Sequence, residues 1–163
     1  MQLLHSPVCI ISEDTDDFRA TMHDTGTILS GSAAARLLLV DALWQLNDYD
    51  LYTPHSQWDV VLDYISNLLG FVIEYVIDAS DEENQEQPYP WLKQGMDRMA
   101  RITRPNIRVD LMRSHNESAF YPLCFFWSTI TINTISTDAI VSAYPTHLLS
   151  HRSICSYTIS DYR

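Results

Sequence analysis

The sequence predicts an α/β (α+β) fold, a mixed sheet flanked by helices, as a single domain over 1–163 with its core at about 13–145. Three observations predict it. A β-rich run, Thr27 to Ser30, ends in Gly31-Ser32 and opens a helix-forming stretch. Asp48-Tyr49-Asp50-Leu51-Tyr52 alternates acidic and apolar side chains with period two, and Asn106 to Met112 alternates again with Asp110 in its interior.

Each element has its own local reason. Ser12, followed by Glu13, Asp14, Asp16 and Asp17, supplies a cap and negative charge where a helix begins, and Phe18 and Met22 share a face, so residues 13–23 read as a short helix. His23-Asp24-Thr25-Gly26 stops it. Beyond Gly31-Ser32, Ala33 to Leu39 are strong helix formers that extend to about Leu43. Strand residues two apart share a face, so Asp48 and Asp50 point the same way. Thr53-Pro54 or Ser56 caps the next helix, whose stripe is Trp58, Val61, Leu62, Ile65 and Leu69 and whose end is Gly70. Residues 71–77 read as a strand, 78–88 as an exposed acidic loop, and 90–103 as another helix. In the strand of residues 106–112, Ile107, Val109 and Leu111 oppose Arg108, Asp110 and Met112; Thr129 to Ile135 and Ala139 to Tyr144 then flank Ser136-Thr137-Asp138 as a hairpin.

Composition narrows the partners. Ten Lys and Arg stand against 21 Asp and Glu, a formal charge of -11, and Lys93 is the only lysine. Nucleic-acid binding draws its non-specific affinity from basic side chains on phosphates, so this balance argues against a long DNA or RNA ligand. Arg98, Arg101, Arg104, Arg108 and Arg113 crowd one segment and read as a solvated helix face followed by strand-flanking charges. Cys9, Cys124 and Cys155 match neither a disulfide framework nor a zinc ribbon, which fits a reducing compartment. With no signal peptide visible and no uncharged apolar run of about 18 residues, the expectation is a cytoplasmic chain without a membrane partner.

The ordered set Gly31-Ser32, Asp48-Tyr49-Asp50 and Asp110 resembles the pattern of the polymerase-β-like nucleotidyltransferase superfamily: a Gly-Ser pair, an acid-x-acid strand, and a third carboxylate on a neighbouring strand. The stretches "LSGSAAARLL", "NDYDLYTPHSQWDVVLDYI", "FWSTITINTIST" and "SAYP" look like a group of fungal proteins with Gly-Ser-x-Ala-Leu, Asp-Leu-Asp-Leu-Tyr-Val, Ser-Thr-x-x-Met-Asn and Tyr-Pro blocks, a resemblance that brings no activity with it. The superfamily resemblance implies a metal-dependent transferase that moves a nucleoside monophosphate from an NTP, ATP first, to a hydroxyl of a small molecule or protein. Its alternative is a catalytically silent descendant that binds nucleotide or protein.

The chemistry behind the resemblance is direct. Same-face strand residues lie roughly 6–7 Å apart and the next strand about 4.8 Å away, so three carboxylates can converge. Two carboxylates about 4 Å apart repel by roughly 4 kcal/mol at an effective dielectric near 20, which calls for cations. The resemblance implies that Asp48, Asp50 and Asp110 hold Mg²⁺, as one ion or a pair, and that Asp110 orients or deprotonates an acceptor hydroxyl. Gly31 lets backbone approach a phosphate, Ser32 offers a hydroxyl and amide at the helix start, and Arg36 is the nearby cation for a triphosphate. Two departures stand out. Fifteen residues separate Ser32 from Asp48, more than the superfamily commonly uses, and the chain runs only some 19 residues past Tyr144, without a helical domain for base or acceptor.

Other side chains read as structural. His147 and His151 form a surface pair without a third metal ligand, Cys124 a buried small hydrophobe, and the run Phe120, Tyr121, Phe125, Phe126, Trp127 core.

Overall fold

The computed structural model describes residues 11, 15–39, 41–42, 44–46, 48–80 and 95–155. Their centre is a seven-stranded mixed sheet in the order β3-β4-β5-β2-β1-β6-β7, comprising β1 (Ile28–Ser30), β2 (Tyr49–Thr53), β3 (Val72–Asp78), β4 (Met96–Arg104), β5 (Ile107–Ser114), β6 (Asn133–Ile135) and β7 (Ile140–Ser142). β2 and β5 pair in parallel, and every other neighbouring pair is antiparallel. The α/β class with a mixed sheet and helices is therefore the observed one.

The helices form where the sequence supplies their ends. α1 (Thr15–Thr25) carries Asp16 and Asp17 in its first turn. It stops because Gly26 takes φ +66° and donates to His23 O while Thr27 donates to Met22 O, a Schellman end. The expected cap residues Ser12 to Asp14 lie outside the described residues. β1 runs without a loop into α2 (Gly31–Leu38), which is shorter than the predicted run to Leu43. After β2, a 3₁₀ turn (His55–Gln57) leads into α3 (Trp58–Asp63), which widens to a π-helical turn (Tyr64–Leu68) before Gly70 at φ +70°. α4 (Pro145–Leu149) follows the β6–β7 hairpin, and no described helix is long and apolar enough to cross a membrane.

The alternation read from sequence sorts the core into two faces. Leu29, Leu51, Ala100, Ile102, Val109 and Leu111 pack under Phe18, Ala33, Ala34, Trp58, Val61 and Ile65 of the helices. On the other face Ile28, Tyr52, Met99 and Met112 meet Ala119 and, from the 3₁₀ segment that follows it (Tyr121–Phe125), Leu123. A one-residue slip of a strand would turn its share of this set away from the helices, so the helix-side burial helps to fix strand register.

The helix expected over residues 90–103 is not found: residues 96–104 form β4, and 90–94 lie outside the described residues. Met, Ala and Arg favour helix, but by only tenths of a kcal/mol each, roughly. β4 instead pairs on both sides, with β3 and with β5, and the β4–β5 connection is a two-residue turn between Arg104 and Ile107. Pro105 stands first in it and Asn106 second, at φ +64°, the residue order of a type II turn. The hairpin expected over 129–144 is also narrower: Thr129–Thr131 is a 3₁₀ turn, and only β6 and β7 pair.

The aromatic segment and its cysteine are corrected as well. Phe120 and Trp127 are about half exposed, and Cys124 is exposed and free rather than buried. The 3₁₀ segment turns Pro122 and Leu123 inward, which leaves Cys124 facing solvent. His147 and His151 are surface side chains, as expected: His147 stands edge-on to Tyr144, and His151 pairs with Asp41.

Candidate functional site

β1, β2 and β5 are adjacent, and their register puts Ser30 opposite Asp50 and Asp50 opposite Asp110. Asp50 and Asp110 belong to the face opposite the helix-packed one, because Tyr49, Leu51, Val109 and Leu111 occupy the latter. Asp48, just before β2, reaches Arg108 Nη2 at 2.6 Å, and Arg108 alternates with Asp110 on β5. The three sequence-predicted carboxylates are thus neighbours.

Gly31 belongs to the same arrangement. It takes φ +69°, and a Cβ there would collide with Asp50 Oδ2 and lie 3.1 Å from Asp50 Cγ. The glycine therefore gives room to the carboxylate itself. Ser30 Oγ donates to Asn133 O at 2.6 Å, tying the β1–α2 junction to β6. Ser32 is half-buried at the start of α2, whereas Arg36, one turn further on, donates to Leu39 O at 3.3 Å and has no contact with the carboxylates.

Arg101 and Arg108, read from sequence as solvent-facing or flanking charges, are instead part of the site. Arg101 lies opposite Asp110 in the β4–β5 register and grips it with a fork: Nε donates to Oδ1 at 2.8 Å and Nη2 to Oδ2 at 2.7 Å. Asp110 is 0% exposed, and the fork supplies the opposite charge that a buried carboxylate calls for. Arg101 also sits over the Tyr75 ring, 5.3 Å from its centroid. The hydrogen bond to Asp48 pushes the Arg108 guanidinium further up from its ordinary value, by more than burial lowers it. Period-two spacing could have exposed Arg108, which shares a face with Asp110 two residues on, but the helix expected for 90–103 concealed Arg101.

Among the described residues the Asp50 side chain makes no hydrogen bond or ion pair. Burial first, then the charges of Asp48 and Asp110, raise its pKa to about 7, against the lowering pull of Arg108 and Arg101. Three carboxylates face two guanidiniums, and Asp50 is the acid left without a counter-ion.

Compared with known proteins, the chain matches no family model and no curated protein. What the site can do therefore rests on its own chemistry. The donor set is hard oxygen, the right kind for Mg²⁺. Its arrangement is not that of an ion cage: among the described residues no group of three or more His, Cys, Asp or Glu is placed to hold a metal ion, and both oxygens of Asp110 are taken by Arg101.

Proposed function

We propose that this chain is a catalytically silent, nucleotidyltransferase-like protein that works as a nucleotide- or protein-binding module. The observation that carries this reading is the Arg101 fork on Asp110: the carboxylate that would orient an acceptor hydroxyl is sealed at 0% exposure and has both oxygens engaged. Arg108 on Asp48 supports it, since a second carboxylate is compensated from within the chain. Exposed Val72 and Val76 on β3, and Ile140 and Val141 on β7, give the outermost strands of the described sheet apolar side chains of the kind a protein partner covers.

A second reading, Mg²⁺-dependent transfer of a nucleoside monophosphate from ATP to a hydroxyl of a small molecule or protein, is favoured by one observation. Asp50 keeps an unpaired carboxylate beside Gly31 and Ser32, where a cation and a phosphate would meet. ATP titration with and without Mg²⁺ on the wild type and Asp50→Ala, beside an assay of labelled-nucleotide transfer to protein or metabolites, decides between them. The module predicts no transfer, and no binding that requires both Mg²⁺ and Asp50. Transfer that is lost in Asp50→Ala establishes the enzyme instead.

A further inference from the structure

We propose that Arg108 stands in the place of a divalent cation, as a built-in counter-ion whose removal opens a cation site at Asp48 and Asp50. The two arginines of the cluster are held very differently. Arg101 spends Nε and Nη2 on both oxygens of Asp110, rests on Tyr75, and its side chain is 18% exposed. Among the described residues Arg108 makes one hydrogen bond, Nη2 to a single oxygen of Asp48; its side chain is 39% exposed, and its Nε is buried without a hydrogen-bond partner there. Arg101 is a fixed part of the sheet, and Arg108 is the removable charge.

Charge counting gives the consequence. With Asp110 neutralised by Arg101, the remaining group is Asp48, Asp50 and Arg108, which carries one net negative charge with Asp50 ionised, the form that a bound cation favours. Deleting the guanidinium leaves the carboxylate of Asp48, just before β2, and that of Asp50 on it repelling one another, with Arg101, committed to Asp110, as the remaining nearby cation. A single Mg²⁺ or Mn²⁺ matches that charge and prefers carboxylate oxygen. In the wild type the guanidinium holds Asp48 Oδ2 and removes both the charge and the ligand atom that such an ion needs.

The inference deepens the binding-module reading, and the two fail separately: nucleotide transfer by the wild type defeats the module, whereas the counter-ion is tested by melting alone. Thermal unfolding is followed in EDTA, in Mg²⁺ or Mn²⁺, and in K⁺ at matched ionic strength, for the wild type, Arg108→Gln and Arg108→Gln/Asp50→Asn. The wild type should melt alike in all three. Arg108→Gln should melt about 3–6 °C higher at tenfold saturating divalent ion than in K⁺, a gain that the double variant loses. A wild type as responsive as Arg108→Gln, an Arg108→Gln without a divalent-specific gain, or a double variant that keeps the gain each overturns the proposal. Should Arg108→Gln not fold in EDTA, its refolding is followed with Mn²⁺; recovery supports the proposal and continued failure overturns it.

Discussion

Gly31 and Asp50 occupy one space: the carboxylate of Asp50 fills the position where any other residue at 31 would carry its Cβ. The register that sets Ser30 opposite Asp50 makes this contact unavoidable, since Gly31 is the next residue along. Two costs then fall on Gly31→Ala, the φ of +69° and the collision. Together they should destabilise the protein by about 2–4 kcal/mol. In an Asp50→Ala background only the backbone part, about 1–2 kcal/mol, should remain, a non-additivity that urea denaturation of the four-member cycle reads directly. Equal costs in both backgrounds would show that the two residues do not share the space.

Asp50 also links stability to pH. Its pKa is pushed from the ordinary 3.8 to about 7 in the fold, so between those values the folded chain keeps a proton that the unfolded chain releases. A group raised in this way stabilises fully below about pH 4 and loses its contribution as pH rises toward 7; the sign is a falling stability with rising pH. The full span corresponds to about 4 kcal/mol. Asp50→Asn should abolish this component, so the difference between wild-type and variant unfolding free energies should slope across pH 4–7 and flatten above it. A flat difference throughout would mean that Asp50 is not held protonated.

The part of this site legible in the sequence is the part set by period and order. Alternation put Asp50 and Asp110 on strands with their apolar partners on the other face, and Gly31 marked the strand-to-helix junction, because each of these signals is local; Asp48, expected on the same strand, instead lies just ahead of β2, which begins at Tyr49. Arg101 was hidden for a physical reason: Met96, Met99 and Ala100 carry no strand preference of their own, and β4 exists because β3 and β5 pair with it from both sides. The turn residues Pro105 and Asn106 were the local sign that residues 96–114 fold as a hairpin. Cys124 was misjudged from its apolar neighbours, since a tight 3₁₀ segment turns successive side chains in different directions.

The Arg101–Asp110 pair should behave as a buried ion pair whose halves depend on each other. Arg101→Met leaves a fully buried carboxylate without its fork and should cost about 3–5 kcal/mol. Removing both charges, in Arg101→Met/Asp110→Leu, should return most of that stability, because paired burial in an apolar setting is close to neutral against a hydrophobic replacement. Denaturant unfolding of the single and double variants measures the coupling. A double variant no more stable than Arg101→Met would mean that packing around the guanidinium stem, and not charge, holds β4 against β5.

The register that aims Arg101 at Asp110 is set by the Pro105-Asn106 turn, so the turn should be felt at the site. Asn106 takes φ +64°, a conformation that Gly adopts freely, Asn tolerates and a β-branched residue resists. Asn106→Gly should stay within about 0.5 kcal/mol of the wild type, and Asn106→Val should lose about 1–2 kcal/mol. Because Arg104 pairs with Ile107 across the turn and Arg101 with Asp110 three steps further, strain at Asn106 loosens the pairing nearest the fork. Amide hydrogen exchange along β4 and β5 should therefore speed up in Asn106→Val more than in β6 and β7. Uniform acceleration across all strands would indicate global destabilisation and no special dependence of the Arg101–Asp110 pair on its turn.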